Sequence, residues 1–388
     1  METFFSLLLY LGTFVVGLCL DNSRTNSRYL RLYTLWLYIF LCFGYMTGSD
    51  WRSYELDFYY TDFQDYIRNI RGLSEVGFWF VFFTLKTIFR DFFIVIGILK
   101  ALYLYSLIKF LKTITDNWTA SISILLPKSL VFMLIDNPLR FMTALIFVNW
   151  ALYLFLQGKQ KKGIVVLSMS VLFHNTCIIL LPIFLFFPKF TKVLKFNNVA
   201  LWVTYLAVFI LFSDGGPVGS LLQQFQSRMV AFGAKDYSAY TEIDEEAIFT
   251  LGSILSIFIF TLLLLLRKKI LSLQYGDLIF SCSVLSSFMG RILIFIPTGF
   301  RLGIPLGYFS AIAFASIICK FRSSYYAKIL LVYFLLTFSK ALWTSYSYLP
   351  YSNAIPYILT SHKPYLERVE YNYSHFMQRM GNEYYRQK

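Results

Sequence analysis

Apolar residues along the chain fall into recurring blocks, many of them about 17–20 residues long and parted by short polar connectors. That is the spacing of helices that each cross a bilayer. The pattern predicts spans near residues 4–20, 32–47, 92–108, 118–135, 141–156, 200–212, 247–266, 277–297, 302–319 and 329–344. Two further apolar stretches, 76–89 and 163–187, are too short or too interrupted to read as simple crossings. No internal repeat of fixed period and no low-complexity tract divides the chain. The expectation is one all-α polytopic membrane domain over residues 1–345 with about 10–12 membrane helices. Outward loops are expected at 47–75 and 213–246, followed by a polar, Tyr-rich C-terminal tail at 346–388 to which no task is assigned.

Composition narrows the class. Of 388 residues, 57% are hydrophobic, 20% aromatic and only 14% charged, whereas soluble domains carry roughly 25% charged side chains. This excludes a soluble enzyme, a disordered chain and a disulfide-stapled secreted domain. A net charge of +14 invites a nucleic-acid reading, but many of the basic residues cluster in connectors between apolar blocks, so membrane orientation explains them better and no nucleic-acid partner is expected. Cys19, Cys42, Cys177, Cys282 and Cys319 stand singly in apolar segments, without a CxxC pair or zinc spacing. The first block starts at Phe4 after the acidic Glu2, with no basic leader or small-residue cleavage site, and is read as a retained helix.

Six connectors are basic: Arg24, Arg28 and Arg31; Lys109 and Lys112; Lys159, Lys161 and Lys162; Lys189, Lys192 and Lys195; Arg267, Lys268 and Lys269; Lys320, Arg322 and Lys328. Placing all six in the cytoplasm puts loops 47–75 and 213–246 outside, and the first of these carries six acids against three arginines. Residues 163–187 then lie between two cytoplasmic connectors, which a re-entrant hairpin accommodates. Its rising arm, 163–173, reaches roughly 16 Å at 1.5 Å per residue, about half the hydrocarbon core. The tip is Phe173-His174-Asn175-Thr176, with Pro182 in the returning arm. Broken backbone at that depth is tolerated only beside protein or a water-filled cavity. Residues 76–89, which contain Lys86 and precede Arg90 and Asp91, read as an interfacial or re-entrant helix on the outer side.

Polar residues at the outer helix ends are the candidates for chemistry, because charge inside a bilayer is costly. Asp50, Arg52, Tyr54 and Asp57 open an acidic, aromatic loop that also holds Tyr59 and Tyr60. Carboxylates accept hydrogen bonds from sugar hydroxyls and aromatic faces cover sugar rings, so the loop suits a carbohydrate; a solvated loop with interfacial aromatics fits equally. It has no Asp-x-Asp pair, so no metal is expected there. Asp136-Asn137-Pro138-Leu139-Arg140 opens the next helix and presents Arg140 as a phosphate fork or as a snorkelling side chain. His174, in an otherwise apolar stretch, serves either as a hydrogen-bonded structural residue or as a proton acceptor in a wet cavity. Arg291 and Arg301, with Tyr308 nearby in sequence, offer a pyrophosphate clamp or a pair of salt-bridged side chains. Arg228, Tyr237 and Tyr240 mark a basic, aromatic stretch that reads as a lid or a solvated loop.

Taken in order, Gly48–Tyr54, Glu75-Val76-Gly77-Phe78, Arg140, Gly158-Lys159, Phe173-His174, Pro182, Arg301, Tyr308-Phe309 and Pro356-Tyr357 resemble the EpsG-like branch of Wzy-type polysaccharide polymerases. Asp50 is followed by Trp51 where that branch usually has Tyr. The resemblance implies a GT-C-type glycosyltransferase of the bacterial inner membrane whose active site faces the periplasm. Such an enzyme moves a growing glycan from undecaprenyl pyrophosphate onto a lipid-linked oligosaccharide repeat unit in O-antigen or capsule biosynthesis. It would act without metal or cofactor and would have a flippase and a chain-length regulator as partners. It makes Arg140, Arg301 and Arg291 the pyrophosphate ligands and His174 the base, with Asp50 and Glu75 as alternatives. Tyr54, Asp57, Arg52, Arg228, Tyr237, Tyr240 and Tyr308 would then contact substrate. A lipid-linked oligosaccharide flippase is the rival reading, though flippases usually show two related halves. A membrane O-acyltransferase would need a His or Arg motif near the first helices.

Overall fold

The structure, a computed structural model, describes residues 1–20, 26–62, 64, 75–212, 218, 251–293 and 299–381. Almost every element is helical, as the apolar blocks demand: within hydrocarbon a helix satisfies its own backbone groups. Among the described residues, five helices are long and apolar enough to cross a bilayer: Glu2–Cys19, Phe92–Ile114, Leu139–Leu156, Arg301–Lys320 and Tyr325–Thr344. This makes the chain a multi-pass membrane protein. Among the described residues, the helices at the other expected spans are shorter or broken. One, starting at Trp118, changes after Leu125 into wide π turns at Leu126–Leu130 and Phe132–Asp136. Pro127 lies at that change, where it has no N–H to give the helical ladder.

The chain divides into two compact units, Met1–Leu181 with Ile318–Lys388, and Pro182–Ile317. In the first, α1 (Glu2–Cys19), α2 (Ser27–Cys42), α3 (Trp51–Tyr60), α4 (Val76–Phe89), α5 (Phe92–Ile114), α6 (Trp118–Leu125) and α7 (Leu139–Leu156) follow in order. α5 packs along α7, and α7 along α8 (Gln160–Met169). Packing between membrane helices gains little from hydrophobicity, so small residues and interhelical hydrogen bonds carry it. Asn149 of α7 donates to the Ser106 hydroxyl of α5 at 3.0 Å. Gly17 of α1 lies where a Cβ would come within 2.2 Å of both the Ser123 and Tyr33 hydroxyls, so a glycine is what allows the close crossing.

The expected tail folds back onto this unit. A two-stranded antiparallel ribbon pairs Gly44–Tyr45 with Ser352–Asn353. Tyr351 packs on Tyr10 and Phe40 and donates its hydroxyl to the Phe40 carbonyl at 2.5 Å. The helix Tyr365–Met380 turns Arg368, Asn372 and Phe376 inward at four-residue spacing. Arg368 grips both oxygens of Glu55, each at 2.7 Å. Trp51, Tyr45, Phe93 and Tyr365 ring its guanidinium at 5.3–5.8 Å.

The second unit contains the helices Asn198–Leu211, Leu251–Leu265, Arg267–Leu271 and Gly276–Ile292. Arg267 binds the Leu194 and Phe196 carbonyls and the Asn198 side chain at 2.7–3.0 Å. Tyr205 stacks on Phe260 with ring centroids 4.0 Å apart.

Candidate active site

Three chain breaks in the first unit bring the candidate side chains together. The first is the turn before α3. Gly48 adopts φ +86°, and a Cβ there would meet the Ile135 carbonyl at 1.9 Å, so only glycine fits against the end of the π segment. Asp136 then binds this turn: its carboxylate accepts from the Ser49 N–H at 2.9 Å and from the Ser49 hydroxyl at 2.8 Å. Its carbonyl accepts from the Asp50 N–H at 3.1 Å. The second break is the start of α4, where Glu75 stands in the left-handed region at φ +61°. That conformation costs roughly 1–2 kcal/mol for a residue with a Cβ and must be held by contacts. The third is His174, whose extended backbone interrupts the helical path between the short turns Ser170–Leu172 and Asn175–Ile179.

Close approach of the last two breaks depends on Gly77. A Cβ there would lie 3.0 Å from the Leu172 carbonyl and 3.1 Å from the Phe173 ring. The result is a linear chain of polar groups. Tyr54 accepts from Arg140 Nε at 3.0 Å, and Arg140 Nη1 donates to Glu75 Oε2 at 2.5 Å. Glu75 Oε1 pairs with His174 Nδ1 and also receives the Asn175 N–H at 3.4 Å. The edge of the His174 ring packs against Phe141 at 5.4 Å.

The electrostatics follow from burial and pairing. Glu75 is only 6% exposed, which by itself pushes its carboxyl upward. The His174 hydrogen bond and the Arg140 charge outweigh that push and hold it below the usual carboxylate range. The Tyr54 phenol is raised by burial, against the opposing pull of Arg140, and therefore stays protonated at neutral pH. Burial likewise raises the half-buried Asp57, again opposed by Arg140. Arg140 is 43% exposed. Its Nη2 has no hydrogen-bond partner among the described residues, and neither does His174 Nε2. The cluster thus presents one exposed cationic edge, on Arg140, and one buried imidazole nitrogen without a protein partner.

Tyr54, Glu75, Arg140 and His174 are therefore assembled, with Asp57 within electrostatic reach of Arg140. Asp50 stands at the turn that Asp136 organises. Arg52 points elsewhere, its Nη2 lying 3.4 Å from the Val369 carbonyl. In the other unit, the Arg291 guanidinium sits 3.8 Å over the Phe209 ring. Arg301 occupies the short turn Gly299–Gly303, and Tyr308 is buried in Ile304–Lys320. Arg228, Tyr237 and Tyr240 lie outside the described residues. Sequence reasoning gave no role to Asp136, Asn175, Phe141 or Gly77. For Asp136 a signal existed, an acid beside Asn-Pro at a helix start; for Phe141 there was none.

Residues 27–359 match the family model of the EpsG family. The chain belongs to the EpsG family. This is a family of Wzy-like, polymerase-type membrane proteins, and all four clustered residues fall inside the matched stretch. Membership makes the chain a polysaccharide-polymerase-like, glycosyltransferase-like membrane protein. No curated protein and no solved structure matches it.

Proposed function

We propose that this EpsG-family protein is a polymerase that transfers a growing glycan from undecaprenyl pyrophosphate onto a lipid-linked oligosaccharide repeat unit. In this reading it is a GT-C-type enzyme of the bacterial inner membrane, serves O-antigen or capsule synthesis, and works on the periplasmic face beside a flippase and a chain-length regulator. The observation that carries it is the Arg140–Glu75–His174 chain.

The chemistry runs through those groups. Glu75 accepts the Nδ1 proton of His174 and so leaves Nε2 as the basic nitrogen. An acceptor sugar hydroxyl gives its proton to Nε2 while its oxygen bonds to the anomeric carbon of the donor glycan. The bond from that carbon to the phosphate oxygen breaks, and the electron pair leaves with the pyrophosphate. The open edge of Arg140 neutralises the developing charge, with Tyr54 and Glu75 holding the guanidinium in place. Positive charge on the leaving group then comes from guanidinium, so the reaction is read as metal-independent. Arg301 and Arg291 remain proposed pyrophosphate ligands on the chemistry of their side chains, and Asp57, Asp50, Tyr308, Arg52, Arg228, Tyr237 and Tyr240 remain proposed sugar contacts. The re-entrant hairpin is retained as the explanation for the break at His174.

The test is polymerisation by purified protein with a defined lipid-linked repeat unit, with and without a chelator. His174→Ala and Arg140→Ala should stop chain growth while the protein still inserts, and the chelator should change nothing. Unimpaired growth in His174→Ala would remove the proposed base. In cells, build-up of unflipped units on the cytoplasmic side in either variant would point to transport instead.

A further inference from the structure

A cavity in the same unit, apart from the polar cluster, has no part in this reaction. It holds about 360 Å³ and is lined by Phe58, Tyr59, Lys86, Thr87 and Arg90. The first two come from the last turn of α3, the others from the last turn and C-cap of α4. Since Glu75 immediately precedes α4, the cavity lies roughly 20 Å along that helix from the polar cluster, at 1.5 Å per residue.

Most of the charge around it is already matched. Lys86 donates to the Thr61 carbonyl at 3.0 Å and to Asp62 at 3.1 Å, tying the end of α3 to α4. Asp91 accepts from the Ile94 N–H at 3.0 Å and pairs with His362 at 2.8 Å. Arg90 is different. It is exposed, its left-handed backbone at φ +54° ends α4, and among the described residues its guanidinium has no hydrogen-bond or ion-pair partner. Beside it stands the half-exposed Tyr59 ring, packed edge-on against the buried Phe58 at 5.2 Å. Thr87 spends its hydroxyl proton on the Thr84 carbonyl at 2.7 Å, which leaves its oxygen free to accept.

We propose that this cavity is an accessory glycan subsite that selects an acidic sugar. Arg90 pairs with the carboxylate of the sugar through its planar fork. Tyr59 covers the apolar C–H face of the ring, and Thr87 accepts a sugar hydroxyl. That the ligand is a glycan rests on the polymerase reading; the preference for an anion rests on Arg90. The same α4 then links the point of transfer to a grip several sugars away, so that a chain with acidic residues is held while it grows.

The test is binding of tetragalacturonate and of neutral maltotetraose to the full chain in phosphatidylcholine nanodiscs, read by thermophoresis. Tetragalacturonate should bind at least tenfold more tightly and lose that margin in Arg90→Ala. Tyr59→Ala should weaken both probes severalfold. Equal affinity for the two probes, or a margin that survives Arg90→Ala, overturns the proposal. So does loss of tetragalacturonate binding in phosphatidylglycerol nanodiscs, because lipid head groups would then be the occupant. Arg90-dependent binding by a protein that fails to polymerise would sink the polymerase reading and leave the subsite standing.

Discussion

Two carboxylate–guanidinium pairs sit in one unit of this protein, and they are built for different ends. Glu55 and Arg368 are 4% and 5% exposed, and each carboxylate oxygen has its own nitrogen at 2.7 Å. Aromatic rings enclose the guanidinium and its Nε is taken by the Lys363 carbonyl. Glu75 is as buried, but its partner Arg140 is 43% exposed and binds it through one nitrogen, leaving the second carboxylate oxygen to His174. A closed pair can only hold elements together; an open one can hold a ligand. The open pair also includes a residue in a strained backbone, which marks sites that the surrounding structure over-determines.

Mutation can break this contrast. The largest effect is expected at the open pair, on rate. His174→Ala should lower turnover about 10²–10⁴-fold, the usual contribution of a positioned base, with a smaller loss of thermal stability than at the closed pair, because Arg140 still pairs with Glu75. At the closed pair the expectation reverses: Arg368→Ala strands a buried carboxylate and should cost about 3–5 kcal/mol of stability. The molecules that remain folded should keep their turnover. A rate loss without a stability loss in Arg368→Ala would erase the distinction.

Acid sharpens it further. The folded-state pKa of Glu75 is depressed, so the stabilisation it provides is fully present above the unfolded carboxylate value of about 4.3 and is lost as pH falls through the lower folded value. Melting profiles taken below pH 5 should show this loss in the wild-type protein and not in Glu75→Gln. The smallest effect is expected at Gly77→Ala. Its new methyl group meets the Leu172 carbonyl and Phe173 ring at 3.0–3.1 Å and pushes α4 away from His174 by a few tenths of an ångström. Turnover should drop several-fold with little change in melting, since misplacement near the chemistry costs more than it does in packing.

Periodicity made the membrane class legible, because a chain with 57% hydrophobic and 14% charged residues has few other ways to fold. The motif order around Gly48–Tyr54, Glu75, Arg140 and His174 pointed to the family that residues 27–359 match. The break at His174 was readable as well, since basic connectors flank residues 163–187 on both sides and leave no place for a single crossing. Span lengths were less so. Hydropathy does not register that Pro127 lies where its helix widens into π turns, or that the tail helix Tyr365–Met380 turns Arg368 inward to Glu55.

What the sequence by itself determined was therefore the kind of solvent each segment meets and the residue types available at helix ends, both of which are local properties. Which carboxylate pairs with which cation was decided only in three dimensions. Glu55 reaches a residue 313 positions away, and Glu75 reaches partners 65 and 99 positions away. The pairing of Glu75 with His174 depends on a close approach at Gly77 that no pattern of hydrophobicity records. Close approach in space turned four scattered polar residues into one site.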